Sequence, residues 1–244
     1  MCLLKNNKFF NNKLYMIVLG IIPARSGSKG VKDKNIKKIN NKTLIELAYL
    51  KAKSSKIFTD IIVSTDSIKY KKIFKKKKII VKSLRSKKFS QDDTTDLQLL
   101  DYEVRKYENL TKKKINYVAL IQPTSPFRSS KDLSKCFNLI KSKKLDAVWT
   151  ITKIDNKFNP IKILNIKKGR LKYFSKLGST FVSRQKLNNS YIRNGIVYFF
   201  SKKSIKKIKK ILPPKSGFLE IKKKIINIDT FQDYKQTQKL LSKN

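Results

Sequence analysis

The stretch IIPARSGSKG, residues 21–30, is where side chains able to do chemistry first crowd together. An apolar run ends in Pro23, and Arg25, Ser26, Gly27, Ser28, Lys29 and Gly30 follow at once, with Lys34 and Asn35 just downstream. Small residues let the backbone approach an anion closely and offer it amide donors, and the two cations add fixed charge beside them. The chemistry that suits this arrangement is the grip of a phosphate or another compact anion. The spacing is neither that of a Walker loop nor a GxGxxG dinucleotide turn. A Gly-Ser turn after a strand is also a common structural feature in its own right.

Such a loop needs a frame that holds it open at the end of a strand. Residues 16–23 (MIVLGIIP) form a continuous apolar run, as expected of a strand buried on both faces. Comparable runs stand at 60–67, 78–83, 117–123, 146–152, 195–200 and 224–230. Between them lie helical stretches. Thr43 and Glu46 have the spacing of a capping box for a helix to about Ser55. From Thr94 to about Asn109, apolar residues at 97, 100, 104 and 107 keep helical spacing, and Ser129 can cap a helix carrying Leu133, Phe137 and Ile140. Alternating strands and helices predict an α/β sheet, in which ligands bind beyond the carboxyl ends of the strands. Residues 153–193 break this rhythm with scattered turn residues and are expected to form an inserted arm. The rest of 16–244 reads as one domain without repeats, and residues 1–15 as a disordered extension ahead of Met16.

Composition excludes several kinds of function. There is no histidine, so His-based acid–base catalysis and His metal sites are out. Two cysteines, Cys2 and Cys136, are too few for a disulfide framework, which points to a reducing cytoplasm. No apolar stretch reaches the roughly 18 residues needed to span a bilayer. The formal net charge of +43 invites a nucleic-acid reading. Only seven of the 59 basic residues are Arg, however, whereas phosphate and base-edge readout favours Arg forks. Lysines spread along the whole chain fit a solvated surface better.

The stretch IPARSGSKGVKDKN (22–35) resembles the opening signature of the acylneuraminate cytidylyltransferases, which make CMP-activated sialic acids. IIVSTDS (61–67), LIQPTSPFRSS (120–130), RQ (184–185), NGIVYF (194–199) and IDT (228–230) agree with that family in order. The resemblance implies a three-layer Rossmann-like nucleotidyltransferase fold with an inserted dimerisation arm, and transfer of CMP from CTP to a nine-carbon 2-keto sugar acid with Mg²⁺. It places Arg25, Ser28, Lys29, Gly30, Lys34 and Asn35 on the triphosphate. It sets Arg85 near the cytosine, with Asp93 and Thr94 where the family closes over the nucleoside. Gln122, Lys162, Arg184, Gln185, Arg193 and Asn194 fall on the sugar-acid side, and Asp229 with Asn227 at the metal. Arg25, Lys34 and Asp229 are the expected catalytic set, the partners are CTP and a 2-keto sugar acid, and a homodimer is expected. Each residue also has a plain reading: Gln122 as a strand-end cap, Lys162 as one more surface lysine, Asp229 as a helix cap.

Two departures stand out. The family often writes Arg-Pro-Asn-Gly where this chain has Ile192-Arg193-Asn194-Gly195, so its Arg comes one place later, and in an extended segment that shift reverses the face. Where the family commonly has Asp-x-Asp, this chain has Asn227-Ile228-Asp229; strand alternation puts both on one face, but Mg²⁺ prefers charged oxygens. The sequence singles out no general base, which leaves acidification of the attacking hydroxyl to the metal. Alternatives are the cytidylyltransferase for the eight-carbon sugar acid of lipopolysaccharide, which tends to have Lys-Pro at Lys34-Asn35, a basic nucleic-acid-binding protein, and an impaired scaffold.

Overall fold

The computed structural model describes residues 16–27, 30–77, 79–180 and 187–242; the expected extension, 1–15, lies outside them. The first apolar run forms β1 (Val18–Pro23). A two-stranded ribbon, β2 (Lys38–Ile39) and β3 (Lys42–Thr43), leads into α1 (Leu44–Ser54). Then come β4 (Asp60–Ser64), α2 (Ile68–Lys76), α3 (Asp96–Thr111), β5 (Tyr117–Leu120), α4 (Ser130–Ser142) and β6 (Ala147–Lys153). The remaining elements are β7 (Leu164–Lys167), β8 (Arg170–Tyr173), β9 (Tyr191–Ser201), β10 (Ser216–Glu220) and α5 (Phe231–Leu241).

Capping chemistry sets the helix starts. Thr43 and Glu46 bond reciprocally at α1, Thr95 and Gln98 at α3, Ser129 and Asp132 at α4, and Thr230 and Asp233 at α5, each pair satisfying amide donors that the first turn leaves free.

Six strands make the main sheet in the order β10-β6-β9-β5-β1-β4. β1 pairs parallel with β4 on one side and β5 on the other, so the chain changes direction across the sheet at β1. β9 runs antiparallel to both of its neighbours, β5 and β6. Period-two alternation then splits the apolar side chains between two faces. Val18, Ile22, Ala119, Val148, Val197 and Phe199 pack under α1, α2 and α4; Leu19, Ile21, Val118, Leu120, Tyr198 and Phe200 face α3. This is the α/β sheet expected from the pattern, in the three-layer architecture that the resemblance implies. Cys136 is buried in the first layer, where burial pushes its thiol pKa up.

Two expectations need correction. Residues 79–83 form no strand: Val63 donates to the Ile80 carbonyl, and among the described residues no second ladder bond accompanies it. Residues 224–230 are extended but unladdered; the Ile228 amide bonds the Thr124 carbonyl while Ile228 packs against Ile39 and Leu44. The excursion between β6 and β9 contains a hairpin, in which β7 and β8 pair antiparallel. Apolar runs report burial, and burial does not require a neighbouring strand.

Phe199 lies fully buried at the sheet centre, its ring 5.8 Å from both Phe58 and Phe137. Phe199→Ala is expected to cost about 3–5 kcal/mol of unfolding free energy, through lost transfer energy and a cavity that rigid neighbours cannot fill. Denaturant titration monitored by circular dichroism measures it, against about 1 kcal/mol for Thr43→Ala at the first capping box.

Candidate active site

A cavity of about 600 Å³ opens beyond the carboxyl ends of β1 and β5, where the chain changes direction. Its β1 side carries Arg25, Gly30, Lys34 and Asn35; the segment before α3 adds Arg85, Phe89, Gln91, Asp92 and Thr94. The far wall is Gln122, Pro123 and Thr124 after β5, Arg193, Gly195 and Tyr198 on β9, and Asn227 and Asp229 before α5. β9 contributes its beginning because it runs against β5: only an antiparallel neighbour puts its first residues beside the ends of parallel strands.

Local bonds fix the loop after β1. The Ser26 amide and hydroxyl both donate to the Asp66 carboxylate, at 2.9 and 3.1 Å. Asn35 is buried, and its side-chain amide donates to the Arg25 carbonyl at 3.0 Å. A Cβ on Gly30 would collide with the Asp229 carbonyl oxygen, so glycine there allows the loop to lie against the segment before α5. Three of the cations facing the cavity have acidic neighbours. Arg25 pairs with Asp92 at 2.5 Å, Lys34 with Asp229 at 3.1 Å and Arg193 with Asp96 at 3.7 Å. Burial raises the pKa of Asp96, and Arg193 opposes the shift.

Arg85 is different. It is buried, its Nε donates to Ser90 Oγ, and its Nη2 has no hydrogen-bond partner among the described residues. Burial lowers its pKa, with the charges of Asp66 and Glu103 acting the other way. Arg85 lines the cavity, and a buried guanidinium donor without a partner is costly to keep.

Of the residues singled out in the sequence, the structure gathers Arg25, Gly30, Lys34, Asn35, Arg85, Thr94, Gln122, Arg193, Asn227 and Asp229 on this one cavity. Ser28, Lys29, Arg184 and Gln185 lie outside the described residues. Three do not line it. Asp93 is exposed, and its neighbour Asp92 takes the cavity wall. Lys162 ends a short turn, Pro160–Lys162, within the inserted segment. Asn194 is buried, its amide nitrogen donating to Thr152 Oγ1 and its side-chain oxygen accepting from the Ile196 amide.

Arg193 reaches the cavity despite its shifted position. β6 takes two steps from Trp149 to Ile151 while their partners on β9, Tyr198 and Arg193, stand five apart. This bulge cancels simple alternation. Gly195 sits in it at φ 71°, where a Cβ would press on Ser125 Oγ, Gln122 Oε1 and Asn227 Oδ1. Its amide donates to the Tyr198 hydroxyl oxygen at 2.7 Å. Sequence reading passed over Asp92, Tyr198 and Asp66; only the position of Asp66 at the end of the IIVSTDS run offered a signal.

The donor set for a metal is small. Asp229 offers an accessible carboxylate, its side chain 75 % exposed, and Asn227 Oδ1 accepts from Ser125 Oγ at 2.6 Å. Among the described residues no three acidic or Cys side chains converge as a cage. One carboxylate fits Mg²⁺, which keeps waters and takes its other ligands from nucleotide phosphates.

Comparison with known proteins now adds to the geometry. The model of the family described as Cytidylyltransferase matches residues 19–244. This chain belongs to that family. The cytidylyltransferase is 28 % identical over 226 residues to the post-translational flagellin modification protein B of Campylobacter coli, covering 92 % of this chain and 94 % of that protein. It is 28 % identical over 227 residues to the CMP-N,N'-diacetyllegionaminic acid synthase of Campylobacter jejuni, covering 92 % and 95 %. It spans only 39 % of the Helicobacter pylori pseudaminic acid cytidylyltransferase and UDP-2,4-diacetamido-2,4,6-trideoxy-beta-L-altropyranose hydrolase, at 26 % identity over 84 % of this chain. Among solved structures it superposes on a CMP:2-keto-3-deoxy-manno-octonic acid synthetase complexed with CTP with a TM-score of 0.71, covering 93 % of this chain and 99 % of that one. At 14 % identity that likeness shows the shared fold.

Arg25→Ala and Lys34→Ala are each expected to lower kcat/KM by about 10–150-fold, the equivalent of one charge-assisted contact of about 1.5–3 kcal/mol. Circular dichroism should show the fold intact, because both side chains face the cavity. Near-native kinetics in both variants would dismiss the phosphate grip.

Proposed function

We propose that this cytidylyltransferase transfers CMP from CTP to the anomeric hydroxyl of a nine-carbon 2-keto sugar acid of the sialic, legionaminic or pseudaminic type, releasing pyrophosphate. The observation that carries the reading is one cavity with two unlike halves: paired cations and an orphaned guanidinium around β1, and Gln122 with Arg193 across from them on β5 and β9. Full-length similarity to a CMP-legionaminic acid synthase supports the acceptor class.

Arg25 and Lys34 bind the triphosphate and give up Asp92 and Asp229 to do so, so that phosphate oxygens replace carboxylates around the same cations. Arg85 offers its free Nη2 to the nucleotide, and Gln122 and Arg193 hold the acceptor so that its hydroxyl lies in line with the α-phosphorus and opposite the leaving pyrophosphate. Asp229, with Asn227 as its neutral neighbour, would hold Mg²⁺, which when bound would supply neutralisation of phosphate charge and a lower pKa for the attacking hydroxyl. The protein's share is positioning and charge compensation, as in phosphoryl transfer generally.

Pyrophosphate release from CTP and Mg²⁺ across sialic, legionaminic, pseudaminic and eight-carbon sugar acids tests the assignment. Turnover with a nine-carbon acid is expected; turnover with the eight-carbon acid alone overturns it. In the same assay Asp229→Ala should nearly abolish turnover, and Asn227→Asp should lower the Mg²⁺ concentration for half-maximal rate.

A homodimer built through the inserted segment completes the proposal. Phe158, Ile166, Leu171, Phe174 and Leu177 are each more than half exposed there, an apolar surface that a second copy would cover. Light scattering at micromolar concentration should give twice the 28.4 kDa chain mass; a monomer mass refutes the dimer.

A further inference from the structure

Arg128 does not line the cavity, yet among the described residues it is the most deeply buried cation beside it, 2 % exposed. Its Nε donates to the Ile196 carbonyl, and its Nη2 to the carbonyls of Gln122 at 2.7 Å and Gly195 at 3.2 Å. Among the described residues no carboxylate stands within ion-pair distance; Asp132 acts only from further away, and burial brings the Arg128 pKa down to about 9. A guanidinium without a counter-ion is costly to bury. What this one receives in return is three backbone carbonyls, two from β9 and one from the segment after β5.

Those carbonyls belong to the bulge and its neighbour. Gly195 and Ile196 lie within the stretch of β9 that has no partner on β6, so their carbonyls would be left without ladder bonds. Gln122 follows β5, next to β9 in the sheet. Thr150 ties the other end of the same bulge, its hydroxyl donating to the Val197 carbonyl at 2.9 Å and accepting from the Val197 amide at 3.1 Å.

We propose that Arg128 is a positioning residue for the acceptor half of the site: by clamping the carbonyls of Gln122, Gly195 and Ile196 it holds the β9 bulge that turns Arg193 and Gln122 into the cavity. The clamp does not reach Arg25, Lys34 or Arg85, so its loss should act on the acceptor and spare the nucleotide. This rests on the sugar-acid reading of that half, and a spectroscopic arm separates the two. The chain's one tryptophan, Trp149, is a partner of Tyr198 across the bulge, and the Arg193 guanidinium lies 5.9 Å from its ring centroid. Its emission therefore reports where Arg193 sits, with no substrate present.

Steady-state kinetics of Arg128→Lys with each substrate varied should show KM for the sugar acid raised at least about tenfold and KM for CTP within about twofold of wild type. Trp149 emission should shift as it does in Arg193→Ala, and Arg128→Lys/Arg193→Ala should shift no further than either single variant. Equal increases in both KM values, or a folded Arg128→Lys protein with wild-type emission, overturn the proposal. If Arg128→Lys does not fold, Thr150→Val loosens the bulge from its other end: the same KM split supports the clamp and an unchanged KM for the acid refutes it. If wild type turns over no sugar acid, the functional reading falls, and the emission comparison alone decides the clamp.

Discussion

Much of this molecule depends on β9 running against both of its neighbours. Parallel strands leave their carboxyl ends on one edge of a sheet and their amino ends on the other. A reversed strand placed among them brings its own beginning to the carboxyl edge. Here that beginning carries Arg193 and Gly195, while the opposite end of β9 fills the core with Phe199 and Phe200. The same strand therefore supplies both the floor of the cavity and the centre of the fold. A slip of one residue in its register would exchange the two roles of its side chains.

Charge is used unevenly. The chain has 59 basic residues against 16 acidic ones, yet Asp66, Asp92, Asp96 and Asp229 all stand at or beside the cavity. With so much positive charge elsewhere, carboxylates at the site keep its cations ordered before any anion arrives. They also reduce the net positive field there. Most lysines away from this region remain on the surface, in keeping with their even spread along the sequence.

The frame of the fold was legible because apolar runs and caps are local signals. β1, β4 and β5, the Thr43 box and the Ser129 cap all follow from a few adjacent side chains. The runs at 79–83 and 224–230 misled because Ile79, Ile226 and Ile228 are buried without strand partners. β10 was not legible at all: its Phe218 is exposed, and Gly217 interrupts any pattern. At the site, the loop from Arg25 to Asn35 announced itself by composition. The face of Arg193 could not be read, since a bulge, invisible in sequence, resets alternation. Asp92 lay one residue from the position expected, too fine a distinction for spacing to make. Arg128 was passed over because its partners are main-chain carbonyls, which carry no residue signature.

The close seating of Gly30 against the Asp229 carbonyl joins parts of the chain about two hundred positions apart. Tyr234 adds a bond to the Lys38 carbonyl, Asn40 one to that of Leu241, and Ile228 packs on Ile39 and Leu44. Contacts this distant in sequence form only after the intervening chain is largely ordered. During synthesis the sheet can assemble before α5 has emerged, but the loop after β1 then has nothing to lie against. The cavity is thus among the last regions to be completed on the way to the native state, and it is open to loosening when α5 frays.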